Sequence, residues 1–485
     1  MASPVSMTSF KIIFYIFLVM ISISFPLKKC DAASEESLTQ HTTSFHSVPV
    51  RQLSPSLNCK STTSAGPTGK STLKIVNRNG ACYRGESSKL TLSQILSHDK
   101  SRVASIQSRL QASSTSNTNG LILEDRQISL PNKPGNDLGT GNYVVTVGLG
   151  TPKKDYTLIL DTGSDLTWTQ CQPCKKFCYP QNDPIFNPFQ SSTYYNISCS
   201  SPQCYLLRHA TGHAASCSGT TCVYDIQYGD ESFSAGFLAK ETVTLGTDVL
   251  PGFLFGCAQN NQGLYGNTDG LLGLGRSQIS IVSQTAKNYG RVFSYCLPTW
   301  SGSNGYLSFG KTGYSVKTVK FTPFSIFKPS ENFYSVDLVG ISVGGKRLPV
   351  LPTVFLTAGT IIDSGTVVTR LPQAAYSVFR DTFKQQMKGY KLAPALSLLD
   401  TCYDFSGVDS VNVPKISFIF RGNVTVDLGA NGILVPVSET QTCLAFAENN
   451  GPADLAIFGN IQQQTLQVVF DDAGRRLGFG PGGCS

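Results

Sequence analysis

Two stretches of this sequence repeat one arrangement of residues that can do acid–base chemistry. Residues 158–164 read Leu-Ile-Leu-Asp-Thr-Gly-Ser, and residues 360–366 read Thr-Ile-Ile-Asp-Ser-Gly-Thr. In each, an apolar run ends at an aspartate, Asp161 or Asp363, followed by a hydroxyl residue, a glycine and a second hydroxyl. A carboxylate at the end of a buried strand is costly unless it is hydrogen-bonded, and these turns supply donors. One such turn is weak evidence. The repetition predicts two carboxylates that face each other across a pseudo-twofold axis.

Two aspartates held this close are expected to share one proton, because like charges in a water-poor cleft raise the pKa of one carboxyl group. One carboxylate can then accept a proton from a trapped water while the other protonates a peptide carbonyl. We expect the hydroxyl after each glycine to donate to a carboxylate oxygen, and the hydroxyl before it to bond across to the facing loop. The supporting residues are therefore Thr162, Gly163, Ser164, Ser364, Gly365 and Thr366. The alternative is two capped turns whose buried aspartates do no chemistry.

A tyrosine near a tight turn is the second candidate for contact with a substrate. Residues 224–232 read as a strand that runs into a turn, with Tyr228 directly before a glycine. A tyrosine in that place can fold over a cleft and exclude water. Trp168 lies seven residues after Asp161, and its indole N–H is a suitable donor to the tyrosine hydroxyl. Either residue alone would more often be part of a core.

The remaining pattern predicts a duplicated β protein that positions these turns. The chain has 45 glycines and 25 prolines but only 14 % charged residues, which favours strands and loops. Strands are expected near residues 143–148, 156–160, 222–228, 249–256, 334–343 and 466–470, and helices at 374–388 and near 280–286. An apolar-apolar-Gly element follows each aspartate turn, at 270–275 and 456–460. At 485 residues, two lobes and an additional segment are expected.

The additional segment is expected at residues 33–135, where the charge is unbalanced. Residues 136–485 contain 24 Lys and Arg and 24 Asp and Glu, so the whole excess of +8 precedes residue 136. A nucleic-acid-binding surface on the main body is therefore not expected. One part of the segment is periodic and predicts a helix, with Lys100, Arg102 and Arg109 off its apolar stripe. The stripe comprises Leu90, Leu92, Ile95, Leu96, Val103, Ile106 and Leu110. A removable pro-segment whose basic residues neutralise an acidic cleft is one interpretation, and a disordered linker with one helix is the other.

Targeting signals and cysteines indicate an oxidising compartment. Lys11 precedes an apolar run at 12–25, which is typical of a secretory signal peptide at residues 1–32 and is short for a membrane span. The C-terminus has no hydrophobic tail, so no membrane anchor is expected. Of 15 cysteines, the twelve from Cys171 to Cys484 can form six bridges. Zinc is the rival interpretation of Cys171 and Cys174, but no second pair of ligands follows in a zinc pattern.

With these landmarks, the chain resembles a pepsin-like aspartic endopeptidase of the plant nepenthesin-type branch over about residues 138–485. The motifs are DTGSDLTWTQC (161–171), QYGDES (227–232), LLGLG (271–275), IIDSGT (361–366) and IFGN (457–460). The resemblance implies an all-β bilobal fold with a cysteine-rich insertion, Asp161 and Asp363 as the catalytic dyad, and Tyr228 as the flap tyrosine. It further implies a peptide or protein substrate, no cofactor or metal, a monomer, and a zymogen that matures by loss of its pro-segment. Glu231 departs from the branch, which often has a second glycine there.

The resemblance also implies a disulfide pattern and a division into lobes. The implied pairs are Cys171–Cys174, Cys178–Cys257, Cys199–Cys222, Cys204–Cys217, Cys296–Cys484 and Cys402–Cys443. The sequence alone does not choose among the possible connectivities. The expected lobes are residues 136–320 and 321–485, with the catalytic cleft between them.

Secretion and activity in the apoplast, with a role in plant defence, are the expected setting, and the vacuole is a second possibility. Asn196 and Asn423 begin N-glycosylation sequons, which matter only in a secreted chain. A Ser/His/Asp enzyme is not expected, because His209 and His213 lie beside no nucleophile motif. Two alternatives stay open: a catalytically silent inhibitor of glycan-degrading enzymes on the same scaffold, and a nucleic-acid-associated plastid protease.

Overall fold

The computed structural model describes most of the chain after residue 43. The described residues are 44–53, 59, 67, 69–83, 90–115, 143–212, 214–228, 232–263, 265–300, 304–314, 317–326 and 332–484. The predicted signal peptide and Glu231 lie outside these residues. Within them, no helix is both long and apolar enough to cross a membrane.

The upstream segment, defined here as residues 44–115, contributes two strands and two helices. These are β1 (Phe45–Pro49), α1 (Val50–Leu53), β2 (Thr72–Asn77) and α2 (Leu92–Thr115). Helix α2 begins at a capping box, because the Thr91 hydroxyl accepts from the Gln94 N–H and the Gln94 side chain accepts from the Thr91 N–H. A disulfide joins Cys59 to Cys82. The helix predicted from the apolar stripe is therefore present, and the described part of the segment packs against the body.

The first half of the body is formed mainly of strands. Its strands are β3 (Tyr143–Leu149), β4 (Lys154–Asp161), β5 (Trp168–Gln170), β6 (Tyr195–Asn196), β7 (Ser216–Ser218), β8 (Thr221–Gln227), β9 (Phe233–Leu245), β10 (Asp248–Gln262), β11 (Gly270–Gly273), β12 (Val292–Cys296) and β13 (Gly305–Phe309). Its helices are short: α3 (Pro202–Tyr205), α4 (Leu207–Thr211), α5 (Ile281–Gln284), α6 (Ala286–Tyr289) and a 3-10 turn at Pro188–Gln190.

The second half is also rich in strands and contains one longer helix. Its strands are β14 (Lys320–Pro323), β15 (Ser335–Val336), β16 (Leu338–Val343), β17 (Lys346–Arg347), β18 (Thr360–Ile362), β19 (Thr369–Leu371), β20 (Lys391–Ala393), β21 (Cys402–Asp404), β22 (Ser410–Pro414), β23 (Ile416–Phe420), β24 (Val424–Asp427), β25 (Leu434–Pro436), β26 (Gln441–Leu444), β27 (Phe446–Glu448), β28 (Ala456–Phe458), β29 (Gln467–Asp471) and β30 (Arg476–Gly480). Its helices are α7 (Thr353–Leu356), α8 (Gln373–Gln386) and α9 (Asn460–Gln463), with 3-10 turns at Lys311–Gly313 and Ala430–Gly432. Helix α8 is the helix predicted at 374–388.

One large sheet connects the two halves, and the upstream segment is part of it. Its order is β14-β30-β29-β12-β13-β2-β3-β4-β11-β5-β10-β9-β8-β7, with β6 paired to β9. Strand β2 lies between β13 and β3 and hydrogen-bonds to both. Its residues Leu73 and Ile75 are buried in the main core. Strand β1 pairs with β22 of the second half.

The two halves share a local arrangement of three strands around each aspartate. In the first half, β11 runs parallel to β4 and antiparallel to β5, with Gly273 opposite Asp161. In the second half, β28 runs parallel to β18 and antiparallel to β19, with Phe458 opposite Ile362, the residue before Asp363. The repeat expected from the sequence is therefore a repeat of strand pairing. It brings the ends of β4 and β18 together.

Two implied disulfides around the first half are wrong, because strand pairing decides the partner. Cys171 follows β5, which pairs in parallel with β10, and its N–H donates to the Ala258 carbonyl at 2.7 Å. Cys171 therefore lies beside Cys257, and these two residues form the disulfide. Cys174 and Cys178, implied to pair with Cys171 and Cys257, instead bridge to each other within one loop.

Four more cysteines pair differently from the implied pattern, because the two buried cysteines bond to each other and the two outer cysteines do the same. Cys204 of α3 and Cys222 of β8 are both buried, and they form one disulfide. Cys199 and Cys217 lie at the outer side and form the other. The implied pairs Cys199–Cys222 and Cys204–Cys217 would each join a buried sulfur to an outer one. The structure has the pairs Cys296–Cys484 and Cys402–Cys443 as the resemblance implies.

Candidate functional site

Two aspartates at equivalent strand ends form the centre of the candidate site. Asp161 is the last residue of β4, and Asp363 directly follows β18. Both side chains are buried. The Gly163 N–H donates to Asp161 Oδ1 at 3.0 Å, and the Ser164 hydroxyl donates to Oδ2 at 2.6 Å. Each aspartate is followed by a hydroxyl residue, a glycine and a second hydroxyl residue, so the loop at Asp363 repeats these contacts.

In the second loop, the Gly365 N–H donates to Asp363 Oδ1 at 3.1 Å. The Thr366 hydroxyl donates to Asp363 Oδ2 at 2.6 Å. Each carboxylate is thus fixed by one backbone donor and one hydroxyl donor. The sequence predicted the hydroxyl donors, and the tertiary structure adds the backbone donors.

The first hydroxyl residue of each loop crosses to the other loop. The Thr162 N–H donates to Ser364 Oγ at 3.1 Å, and the Ser364 N–H donates to Thr162 Oγ1 at 2.9 Å. All of these groups are buried, so each bond satisfies a donor that would otherwise be costly. The paired bonds fix the two loops, and with them Asp161 and Asp363, against each other.

A side chain at either loop glycine would collide with the groups at the centre. A Cβ at Gly163 would lie 2.8 Å from Asp363 Oδ1 and 2.7 Å from Arg102 Nη2. A Cβ at Gly365 would lie 2.3 Å from Arg102 Cζ. With α2 in place, a side chain at either glycine would therefore force Arg102, and at Gly163 also Asp363, to move.

Arg102 of helix α2 occupies the space between the two carboxylates. Its Nη2 donates to Asp161 Oδ1 at 2.6 Å and to Asp363 Oδ1 at 3.0 Å, and its Nε donates to Asp363 Oδ2 at 3.0 Å. Only 13 % of the Arg102 side chain is exposed. A planar guanidinium suits this bridging geometry because its donors lie in one fork. The arrangement excludes a substrate from this point.

The bridge also lowers the pKa of Asp363. Burial alone would raise the pKa of Asp363, but the charge and hydrogen bonds of Arg102, with the donors from Thr366 and Gly365, lower it below its usual value. Burial likewise opposes the charge of Arg102, but Asp161 and Asp363 raise its pKa above the usual value. The guanidinium of Arg102 therefore remains charged, and Asp363 is held in its ionised form.

Helix α2 is held in this place by an apolar face on the second half. Leu92, Ile95 and Leu96 pack in a cluster with Val367, Val368, Val435 and Ile461 among others. Val103, Ile106 and Leu110 pack with Phe333, Ile361, Leu455 and Ile457. Arg102 lies between these two groups along the helix. The sequence placed Lys100, Arg102 and Arg109 off the stripe as basic residues that could neutralise an acidic cleft, and the structure shows that Arg102 is the one that bridges the carboxylates.

Asp99 is a buried charge that the sequence analysis missed. It lies on the buried face of α2, with no exposed surface, and pairs with Arg370 of β19. The signal was available, because Asp99 falls at a position of the apolar stripe, three residues before Arg102. A charged residue inside an apolar stripe indicates a buried partner.

Tyr228 and Trp168 meet on the first half, at the side of the site. Trp168 Nε1 donates to the Tyr228 hydroxyl at 2.9 Å. Both rings contact Tyr265 edge-on, with centroids 4.9 Å and 6.1 Å away. The pKa of Tyr228 is raised, chiefly by burial, so its hydroxyl remains a neutral donor. Tyr228 directly follows β8, and its N–H donates to the Ser232 carbonyl at 2.7 Å.

The other candidate residues fall outside this centre. Asn196 in β6 and Asn423 before β24 are both exposed, as an acceptor of a glycan must be, and their modification stays a prediction. His213 lies outside the described residues. In the part of the chain that the structure describes, no group of three or more His, Cys, Asp or Glu side chains is placed to hold a metal ion.

With Arg102 removed, the same geometry can do acid–base chemistry on a peptide bond. Two buried carboxylates fixed by donors and facing each other would share a proton. Such a pair can hold a water molecule, remove its proton and protonate a carbonyl oxygen.

Comparisons with known proteins agree with this geometry. Residues 143–311 match the family model described as "Xylanase inhibitor N-terminal", and residues 333–481 match "Xylanase inhibitor C-terminal". "Aspartyl protease AED1" of Arabidopsis thaliana is 49 % identical over 90 % of this chain and 92 % of its own length. "Aspartic proteinase nepenthesin-2" of Nepenthes gracilis is 38 % identical over 71 % of this chain and 78 % of its own.

Solved structures support the fold. Conglutin gamma, a basic 7S globulin from lupine seeds, superimposes with a TM-score of 0.57 over 71 % of this chain and 93 % of its own, at 24 % identity. At that identity the likeness concerns the fold alone.

Proposed function

Because the chain belongs to the plant pepsin-like aspartic proteases and is a hydrolase of peptide bonds, we propose that it is made as a secreted zymogen whose dyad is Asp161 and Asp363. The observation that carries the proposal is the bridge of Arg102 between these two carboxylates. An upstream segment without an inhibitory role would not need a buried guanidinium between these two carboxylates.

In the active form, a water lies between the two carboxyl groups, which together hold one proton. The ionised carboxylate removes a proton from the water, and the oxygen attacks the peptide carbonyl while the other carboxyl group protonates the carbonyl oxygen. The tetrahedral intermediate then collapses as its nitrogen is protonated and the C–N bond breaks. No covalent bond forms between enzyme and substrate, so the charge remains within the dyad throughout. Activity is therefore expected to peak in acid.

Maturation requires α2 to leave the cleft. Arg102 lies where the water would bind, and its positive charge pairs with the carboxylates that would otherwise share a proton. The excess of basic residues before residue 136 supports this role for the upstream segment. Loss of the segment would also separate Asp99 from Arg370.

The disulfides support passage through an oxidising compartment, and with the predicted signal peptide they favour secretion to the apoplast. Exposed Asn196 and Asn423 are suitable sites for glycosylation during that passage. We further infer a monomer that acts on protein substrates there, with plant defence as the setting.

The proposal is tested by acidifying the purified full-length protein and following cleavage of a quenched peptide, with and without a pepstatin-type inhibitor. We expect inhibitor-sensitive cleavage that rises as the N-terminal segment is lost. Asp161→Asn and Asp363→Asn should each lower turnover by at least about a thousandfold with the fold retained, because neither can share the proton. Asp155→Asn is the matched control, since this carboxylate of the same strand β4 is exposed on the surface.

Cleavage by either dyad variant at the rate of the wild-type protein would refute the assignment. An optimum in alkali would refute the shared-proton mechanism. Folded, disulfide-bonded protein that cleaves nothing after loss of the segment would favour a silent binding protein instead.

A further inference from the structure

Arg370 occupies the position in the second half that Trp168 occupies in the first. Each lies seven residues after its aspartate, Asp161 or Asp363. Trp168 of β5 is opposite Leu271 of β11, and Arg370 of β19 is opposite Ile457 of β28. Each also has a parallel neighbour, Gly256 or Ala447. The strand arrangement that directs Trp168 towards Tyr228 beside the site is therefore repeated with an arginine.

The partner of Arg370 is a carboxylate from the upstream segment. Arg370 Nη2 donates to Asp99 Oδ2 at 2.5 Å, and the Val367 N–H donates to Asp99 Oδ1 at 2.6 Å. Only 5 % of the Arg370 side chain is exposed, and none of the Asp99 side chain is. One carboxylate thus bridges a guanidinium and a backbone N–H of the second half. Both donors follow Asp363 closely in the chain.

Removal of α2 would leave these donors without their acceptor. In the described part of the chain, Asp99 is the one acidic residue in an ion pair with Arg370. The Nε of Arg370 is buried and has no hydrogen-bond partner there. With α2 gone, the guanidinium of Arg370 would face the space that α2 occupied without its anionic partner, so an anion that enters there is attracted to it. In a working protease, the molecule that replaces α2 in the cleft is the substrate.

We propose that Arg370, together with the Val367 N–H, forms a subsite that selects an acidic side chain of the substrate. This inference rests on the proposed proteolytic function and on the departure of α2. The substrate carboxylate takes the place of the Asp99 carboxylate, with the same two donors. Arg370 is then a specificity-determining residue and takes no part in the chemistry.

The helix indicates how far this subsite lies from the scissile bond. Asp99 precedes Arg102 by three residues, which is a rise of about 4.5 Å along the helix. An extended peptide advances about 3.3 Å per residue. The acidic residue therefore lies within about three residues of the scissile bond, on one side of it.

The test uses the acid-matured enzyme and pairs of quenched peptides that differ by Glu or Gln at one position. Each position from three before to three after the scissile bond is varied, at about pH 5, where a peptide glutamate is mostly ionised. We expect kcat/KM to be about tenfold higher for Glu than for Gln at one position, the effect of one charge-assisted bond. Arg370→Gln should abolish that ratio, so that the Glu and Gln peptides are cleaved with equal kcat/KM. Arg370→Lys should keep part of the ratio, because the charge remains.

Arg380→Gln is the matched control, since this arginine of α8 pairs with Asp381 and Asp400 at the surface. It should retain the full preference. Equal cleavage of Glu and Gln peptides by the wild-type enzyme, or a preference that persists in Arg370→Gln, overturns the inference while proteolysis stands. Absence of cleavage of every peptide by folded, matured enzyme would instead refute the proposed function.

Discussion

At the scale of single residues, the two halves use one strand position for different tasks. Trp168 holds Tyr228 through its indole N–H, whereas Arg370 holds a carboxylate. The backbone pairing around both is the same, so the difference lies in the side chain alone. A duplicated scaffold can thus carry a flap support on one side and a charge-selective group on the other.

The hydrogen bond between Trp168 and Tyr228 is predicted to support turnover. Trp168→Phe keeps a ring against Tyr265 but removes the donor, so Tyr228 loses the hydrogen bond that orients its hydroxyl. We expect kcat/KM of the matured enzyme to fall about tenfold, the effect of one buried hydrogen bond. Tyr228→Phe removes the same bond from the other side.

A double-mutant cycle with both changes measures this coupling. The double variant should be little worse than either single variant, because the bond is already lost. Strictly additive losses would show that the two side chains act independently. Thermal unfolding of each variant separates a loss of turnover from a loss of fold.

At the scale of elements, helix α2 combines an N-terminal capping box, an apolar face and two charged residues, Asp99 and Arg102. The capping box at Thr91 and Gln94 sets its first turn. The apolar groups on both sides of Arg102 fix its rotation and its position along the cleft. Asp99 and Arg102 are one turn apart, so both point to the second half while Arg102 also reaches Asp161. The helix is therefore positioned by packing, and its charges act only at that position.

Arg102→Gln is predicted to weaken the latency of the full-length protein. Without the guanidinium, the cause of the lowered pKa of Asp363 is lost, and burial then raises that pKa. The dyad can recover its shared proton at a higher pH than in the wild-type protein. We expect full-length Arg102→Gln to cleave a quenched peptide at least about tenfold faster than the wild-type protein before any N-terminal loss.

The control for this prediction is Lys100→Gln, which removes an equal charge from an exposed position of the same helix. It should remain as latent as the wild-type protein. Equal gains in both variants would mean that net charge, and not the bridge, maintains latency. N-terminal sequencing at each time point identifies activity that precedes cleavage.

At the scale of the whole molecule, a second pair of carboxyl groups links stability to pH. Asp269, directly before β11, accepts from the Thr157 N–H at 2.5 Å and from the Asp183 N–H at 3.4 Å. Burial, followed by the side-chain contact with Asp183, raises the pKa of Asp269 to about 8. This group ties β4 to β11 and to the loop that carries Asp183, beside the strands that hold Asp161. The protonated form of Asp269 is therefore the form that stabilises the folded state.

The stability of the protein is predicted to fall as pH rises through this window. The pKa of Asp269 is raised from 3.8 to about 8 in the folded state, so the folded state binds the proton more tightly than the unfolded state. The contribution is complete below about pH 4 and is lost by about pH 8. We expect this to lower the free energy of unfolding by roughly 2 to 4 kcal/mol between pH 4.5 and pH 7.5.

Asp183→Asn should reduce this fall, because an amide can donate to the Asp269 carboxylate where the second carboxyl group opposes its ionisation. Asp155→Asn is the control, as a surface carboxylate of neighbouring β4. Thermal unfolding followed by circular dichroism at the two pH values measures the difference. An equal fall in the wild-type protein and Asp183→Asn would assign the pH dependence to other groups.

Local patterns in the sequence determined most of the site and its supporting elements. Asp161 and Asp363 end apolar runs and are followed by a glycine and hydroxyl residues. The donors to each carboxylate therefore lie within three residues of it along the chain. The periodic stripe of α2 and the segments of β4, β8 and α8 are equally local, because helices and strands have fixed periods. The charge excess before residue 136 also indicated where a cation for the site would come from.

Only the tertiary structure decided which distant groups meet. The pairs Cys171–Cys257 and Cys204–Cys222 follow from parallel pairing of β5 with β10 and from shared burial, and neither is encoded in cysteine spacing. Insertion of β2 between β13 and β3, the choice of Arg102 for the bridge, and the pairing of Asp99 with Arg370 likewise depend on packing between segments far apart in sequence. A periodic pattern fixes which face of an element is buried, but the partner of that face depends on how all the elements pack together.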